Sequence, residues 1–230
     1  MMVARLSVRA LRIAVLIVLA ASTAHAQTDP PLHRLQLAAG IGFFGGASLG
    51  DADANVRSGA SSTPYRLFAT SSQLGGSAPV LDLRASVDLT RRFGVEAHAL
   101  YGHPEVQTDV TGDVENAPSV VAVERLDHYL IDGGLIVTLD ELRVKDWQPF
   151  AAAGAGYLRQ LHEGLTLTED GHLFYVGGGA RRTLVVRPRG FVRGFGVRGD
   201  VRVNFLSGGI TVEDKTRQHF SASASLFVVF

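Results

Sequence analysis

From residue 218 to residue 230 the chain alternates, with Phe220, Ala222, Ala224, Leu226, Val228 and Phe230 on one side and His219, Ser221, Ser223, Ser225, Phe227 and Val229 on the other. A period of two is the signature of a β-strand with one apolar face. So long a strand presents unpaired N–H and C=O groups along any free edge, a template for aggregation. Pairing it with the first strand removes both free edges of the sheet at once, so the pattern predicts a closed barrel.

The same alternation recurs upstream. The first strand sets Leu35, Leu37, Ala39, Ile41 and Phe43 against Arg34, Gln36, Ala38, Gly40 and Gly42. Residues 45–79, rich in Ser, Gly, Asp and Ala, read as a long loop with a stickier patch at 65–69. The second strand places Leu81, Leu83, Ala85, Val87 and Leu89 opposite Asp82, Arg84, Ser86 and Asp88. After a tight turn the third places Phe93, Val95, Ala97, Ala99 and Tyr101 opposite Gly94, Glu96, His98 and Leu100. A second loose segment, 103–119, leads to a fourth strand with Tyr129, Ile131, Leu135, Val137 and Leu139 in front and His128, Asp132 and Thr138 behind. The fifth opens with Gln148-Pro149-Phe150, where proline is tolerated at a strand start, and runs through Ala and Gly to Tyr157, Leu158 and Arg159. In the sixth, 173–186, the run Gly177-Gly178-Gly179 blurs the register; Arg181 is assigned inward and Arg182 near an interface. Turn chemistry at Arg187-Pro188-Arg189-Gly190 precedes the seventh, where Phe195, Val197, Val201, Val203 and Phe205 oppose Arg198, Asp200, Arg202 and Asn204. The expected fold is all-β, an eight-stranded antiparallel up-and-down transmembrane β-barrel, with long loops at one end and tight turns at the other.

A soluble barrel of lipocalin type has the same pattern turned inside out. Two features favour the membrane. The polar faces of the second and seventh strands carry both charge signs and little bulk, which suits a narrow lumen of paired ions. The apolar faces carry aromatics near strand ends (Phe93, Tyr101, Tyr129, Phe150, Phe205, Phe230), as interfacial girdles require. Sliding the seventh strand by one residue would put Arg198, Asp200 and Arg202 into lipid, at roughly 2–4 kcal/mol for an arginine near the midplane.

Ahead of the strands, Arg5, Arg9 and Arg12 precede the apolar run 13–20 and the small-residue site Ala24-His25-Ala26. This is the layout of a secretory signal peptide over residues 1–26, leaving 27–230 as a single barrel domain. The apolar run is far short of the roughly 20 residues that a spanning helix needs. Loss of the three arginines takes the formal charge from 0 to −3, so no nucleic-acid partner is expected. There is no cysteine, so pairing and burial must supply the stability.

The candidate site is the lumen, with an expected ion network of Asp82, Arg84, Asp88, Glu96, His98, Asp132, Arg159, Arg198, Asp200 and Arg202. Ser223 and Ser225 share the face of the seventh-strand ions, but apart from His33 and His219 at or beyond strand ends no histidine lies near them in neighbouring strands to act as their base, and no enzyme is expected. The eight histidines are scattered without the spacing that puts two on one face. Asp51, Asp53 and Asn55 are calcium-compatible oxygens that lack the acidic residue of an EF-hand. No metal or cofactor is expected.

The strand from Pro149-Phe150 to Gly154-Ala155-Gly156-Tyr157, the Gly-rich sixth strand, the Arg198/Asp200/Arg202 alternation and terminal Phe230 together resemble the small eight-stranded outer-membrane barrels of the OmpA-transmembrane-domain and OmpX type. The resemblance covers essentially the whole of 27–230. It implies a monomer in the outer membrane, in contact with outer-membrane lipids, with Phe230 as the signal read by the barrel-assembly machinery. Its members include structural proteins, adhesins and lipid-modifying enzymes. The expected role is structural or surface interaction through the long extracellular loops with an unknown partner; the alternative is a lipid A-modifying hydrolase or acyltransferase.

Overall fold

The computed structural model describes residues 34–57, 64–115, 117–162, 167–187, 190–211 and 215–230. The expected signal peptide and part of the turn at 187–190 lie outside the described residues. In chain order the strands are β1 (Arg34–Phe44), β2 (Ala47–Val56), β3 (Tyr65–Leu74), β4 (Ser77–Asp88), β5 (Phe93–Gly102), β6 (Glu105–Thr111), β7 (Val120–Arg125), β8 (Asp127–Thr138), β9 (Gln148–Leu161), β10 (Thr168–Val186), β11 (Gly194–Gly208) and β12 (Arg217–Val229).

Eight of them close a barrel in the order β1-β12-β11-β10-β9-β8-β5-β4, with β4 back against β1. Every neighbouring pair is antiparallel. The closing pair runs from Gln36 against Val229 to Phe44 against Ser221, so the ladder groups that an open sheet would leave free are paired. The tight turns lie at one end, one of them holding a single 3-10 turn, Asp140–Leu142.

The alternation has the sense expected of a membrane barrel. Leu37, Ile41, Leu83, Ile131, Leu135, Phe174, Val176, Val201, Phe220 and Leu226 are exposed on the outside, while the charged residues of the same strands are buried. Ion pairs inside and bare branched side chains outside suit lipid, not water. At the long-loop end the outward band finishes on Phe43, Tyr101, Tyr129, Tyr157, Phe174, Phe205 and Phe220, an aromatic girdle.

Three sequence expectations need correction. Phe150, expected in the outer girdle, is 3% exposed and points into the barrel. Within the expected long loop 45–79, Ala47–Val56 and Tyr65–Leu74 are the paired strands β2 and β3, and β6 begins inside the expected loose segment 103–119. The two long excursions pair with each other into a four-stranded sheet, β2-β3-β6-β7. Each of its strands continues a barrel strand past a break such as Gly45-Gly46 or Gly75-Gly76, so the β1-β4-β5-β8 wall is prolonged beyond the girdle. These strands escape a pattern search because much of both faces is solvated. In Asp51-Ala52-Asp53-Ala54-Asn55 alternation carries no burial signal.

Candidate functional site: the filled lumen and the sheet above it

Four layers fill the interior between the turn end and the loop end. At the turn end, a cavity of about 410 Å³ is lined by Gln36, Asp88, Asp140, Arg143, Gln148 and Arg181 among others. Arg181 Nη1 lies 3.4 Å from Asp88 Oδ1, and Gln36 Nε2 donates to Asp88 Oδ2 at 2.7 Å.

Above it sits the ion network. β4 supplies Asp82 and Arg84, β5 Glu96 and His98, β8 Asp132, and β11 Arg198, Asp200 and Arg202, all on the inward phase of their strands. Arg84 donates to both oxygens of Asp82, Nε at 2.7 Å and Nη2 at 2.6 Å. Glu96 receives all three guanidiniums: Arg84 at 3.0 Å, Arg202 at 2.6 Å and Arg198 through a short contact. Asp200 also touches all three, at 3.1, 3.1 and 3.3 Å from Arg84, Arg198 and Arg202. His98 bridges two further carboxylates, Nδ1 lying 2.5 Å from Asp132 and Nε2 3.4 Å from Asp82. Asp132 in turn accepts from Arg202 at 3.2 Å. Burying charges is expensive unless each is paired and hydrogen-bonded, and here every carboxylate and guanidinium is, while His98 Nε2 is left without a hydrogen-bond partner.

Two aromatics complete this layer. The Arg198 guanidinium lies 4.5 Å over the Phe150 ring, and that of Arg202 4.4 Å over Tyr175. The Tyr175 ring fits because β8 and β9 present Gly134 and Gly154 there; a β-carbon at either would run into it.

The third layer is apolar, built from Phe44, Val80, Leu100, Leu130, Leu158, Leu173 and Leu206. It holds two buried histidines against Phe44, with ring centroids 4.8 Å away for His128 and 5.1 Å for His219. His219 Nδ1 donates to the Gly45 carbonyl at 3.0 Å. The fourth layer is a lid. Ile210 packs on Leu49, Leu74, Val106 and Leu126, its N–H donating to Gln160 Oε1 at 3.0 Å. Arg217 pins the turn from below, donating to the Ile210 and Gly208 carbonyls at 2.5 Å each.

Of the residues expected in one lumen network, Asp82, Arg84, Glu96, His98, Asp132, Arg198, Asp200 and Arg202 are brought together. Asp88 faces inward but belongs to the separate cluster at the turn end, with Arg181 as its partner. Arg159 is outside: Leu158 and Gln160 are 0% and 1% exposed, so the residue between them faces outward. Taking Phe150 as lipid-facing inverts the phase of β9, and the Ala/Gly run that follows holds nothing large enough to expose the error. The inward roles of Tyr175, Phe150 and Gln160 were missed for the same reason, small residues on both faces.

Ser223 Oγ receives Arg84 Nη2 at 3.1 Å, and no serine hydroxyl among the described residues hydrogen-bonds a histidine. Asp53 lies 3.7 Å from Arg66, and no group of three or more His, Asp or Glu that could hold a metal occurs among the described residues. Phe230 packs against Phe191 with ring centroids 5.0 Å apart.

No protein-family model and no curated protein matches the chain. Solved structures do match. The outer membrane protein OprG from Pseudomonas aeruginosa superposes with a TM-score of 0.57 at 11% identity, over 87% of this chain and 97% of its own. Neisserial surface protein A gives 0.47 at 14% identity over 85% and 97%, and Ail, the attachment invasion locus protein of Yersinia pestis, 0.40 at 9% over 86% and 99%. At such identities the likeness is one of fold, that of a small eight-stranded outer-membrane barrel.

Proposed function

We propose that this chain resides in the outer membrane and acts by surface interaction, its barrel serving as a filled pedestal and its β2-β3-β6-β7 sheet as the extracellular contact element. The observation that carries this reading is the outer edge of that sheet. Among the described residues β7 pairs only with β6, and its Val120, Val121 and Val123 are 59%, 55% and 59% exposed. An apolar edge strand is a hazard that proteins ordinarily blunt with charge or cover, and an edge left apolar favours strand addition by a partner. The filled lumen supports the same reading, because eight strands leave an interior that side chains occupy.

The test is attachment of cells displaying the protein to a panel of protein- and glycan-coated surfaces. Full-length chain should attach to at least one coat. A variant with 48–73 and 106–124 replaced by short turns should lose that attachment, and Val121→Lys should weaken it, while both keep the gel shift between boiled and unboiled samples that marks a closed barrel. Equal attachment of full and trimmed chains on every coat would contradict the proposal.

A further inference from the structure

The turn 208–211 closes over the apolar layer at the loop end, bent by two successive glycines at positive φ, Gly208 at 80° and Gly209 at 73°. Gly209 N–H is held by the Asp170 carbonyl of β10 at 2.9 Å, and Thr211 Oγ1 reaches the Leu49 carbonyl at 3.4 Å. Ile210 itself is held by two side chains of the barrel, Gln160 on β9 and Arg217 on β12. Each of these pins stands beside one of the two buried histidines. Gln160 Nε2 is 3.3 Å from His128 Nδ1, and Arg217 and His219 are successive inward residues of β12. Both histidines are 1% exposed, and both have an Nε2 without a hydrogen-bond partner.

What Gln160 meets fixes its amide. A backbone N–H can only donate, so the atom 3.0 Å from Ile210 N is Oε1, and the atom facing His128 is the amide nitrogen. His128 Nδ1 is therefore an acceptor, and the neutral ring carries its proton on Nε2. A second proton on His128 goes to Nδ1 and sets donor against donor. If the amide turns over to offer Oε1 to the imidazolium, its nitrogen faces the Ile210 N–H, and the conflict moves to the lid. Gln160 serves both partners only while His128 is neutral.

His219 bears on the other pin. Its Nδ1 donates to the Gly45 carbonyl, so a second proton sits on Nε2, which has no acceptor. It also places a cation one inward position from Arg217, which carries the Ile210 and Gly208 carbonyls. The surrounding strands do not offset that charge. β1, β4, β5, β10 and β11 contribute Phe44, Val80, Leu100, Leu173 and Leu206 to this layer, and β9 contributes Leu158 and Gln160. On β8 the next inward charge is Asp132, beyond Leu130 and already taken by His98 and Arg202. At the rim His162 lies 2.7 Å from Glu124, and a proton there strengthens that pair. A buried charge without a partner is costly, so each imidazole takes a proton only by leaving this arrangement.

We propose that His128 and His219 make the turn 208–211 an acid-released lid: protonation of either imidazole disengages its pin, and Ile210 leaves the cluster of Leu49, Leu74, Val106 and Leu126. Acid favours the open form. With the lid open the imidazoles are solvated and titrate near their ordinary value of about 6.5, whereas the closed lid has no place for the proton. The open form thus binds more protons and gains up to about tenfold per pH unit for each histidine as the pH falls below that value. The device belongs to the barrel and holds whatever the β2-β3-β6-β7 sheet contacts.

Amide hydrogen exchange of the full chain in detergent micelles, followed by NMR at pH 7 and pH 5, provides the test. Corrected for the intrinsic pH dependence of exchange, protection of the Ile210 amide should fall by about tenfold or more at pH 5, while that of Ala224 in the closing ladder stays within about twofold. His128→Asn with His219→Asn puts an oxygen acceptor and a nitrogen donor where the two bonded Nδ1 atoms stand, and neither titrates. In that double variant Ile210 protection should stay within about twofold between the two pH values. His162→Gln at the rim should leave the fall as it is. The gel shift confirms that each variant is a closed barrel. Equal Ile210 protection at both pH values in the wild type, or an undiminished fall in the double variant, would overturn the proposal. An equal fall at Ala224 would mean that acid loosens the whole barrel, and would overturn the assignment to the lid.

Discussion

Glu96 and Asp200 each meet three guanidiniums, and removing either leaves buried cations short of a partner. Asp200→Ala should therefore destabilise by roughly 3–5 kcal/mol, the range for breaking a buried pair. Asp88→Asn is the contrast. The Asp88 and Arg181 side chains remain 19% and 11% exposed at the mouth of a cavity, so its loss should cost no more than about 1 kcal/mol. Urea unfolding of both variants in lipid vesicles checks the difference, and equal shifts would mean that the two clusters are equally wet. At this scale the sequence is most legible where a charge alternates with a bulky apolar residue, as in Leu81-Asp82-Leu83-Arg84, because phase and burial then point the same way. Arg159 shows the limit. Its neighbours for eight residues upstream are mostly Ala and Gly, and one aromatic, Phe150, decides the phase of the whole strand. A guanidinium to cover its ring makes Phe150 an interior residue, which no local pattern announces.

Among elements, β8, β9 and β10 show how small residues on one strand make room for large ones on another. Gly133 and Gly134 are adjacent on β8 but differ in what a side chain would meet. A β-carbon at Gly133 reaches only the Glu96 carbonyl, at 3.6 Å, whereas one at Gly134 collides with the Ala153 carbonyl and the Tyr175 hydroxyl. Gly134→Ala should accordingly cost about 1–3 kcal/mol, the usual penalty of overpacking. Gly133→Ala should stay within about 0.5 kcal/mol. Unfolding midpoints measured side by side decide it, and equal midpoints would mean that Tyr175 does not fill that space. The Gly177-Gly178-Gly179 register was open from the sequence for a related reason. What phases β10 is the pairing of Gly177 with Arg202 and Gly179 with Asp200, a relation between strands that a single strand does not encode.

For the molecule as a whole, the number of barrel strands, the sense of the faces and the closure of the last strand on the first were all legible, because lipid on one side and ions on the other enforce strict alternation. The β2-β3-β6-β7 sheet was not, since strands wet on both faces carry no such signal, and Tyr65 to Ala69 was the sole hint of it. The lumen network and the girdle both depend on closure. It can be tested directly because the chain contains no cysteine. Ile41 and Ala224 are cross-strand partners on β1 and β12, both facing lipid, whereas Val201 lies one strand further round on β11. Barrel closure predicts that Ile41→Cys with Ala224→Cys is joined within one molecule by a short thiol cross-linker, and that Ile41→Cys with Val201→Cys is not. Cross-links formed only between molecules, or equal yields from the two pairs, would contradict a barrel closed by β1 and β12 in this register.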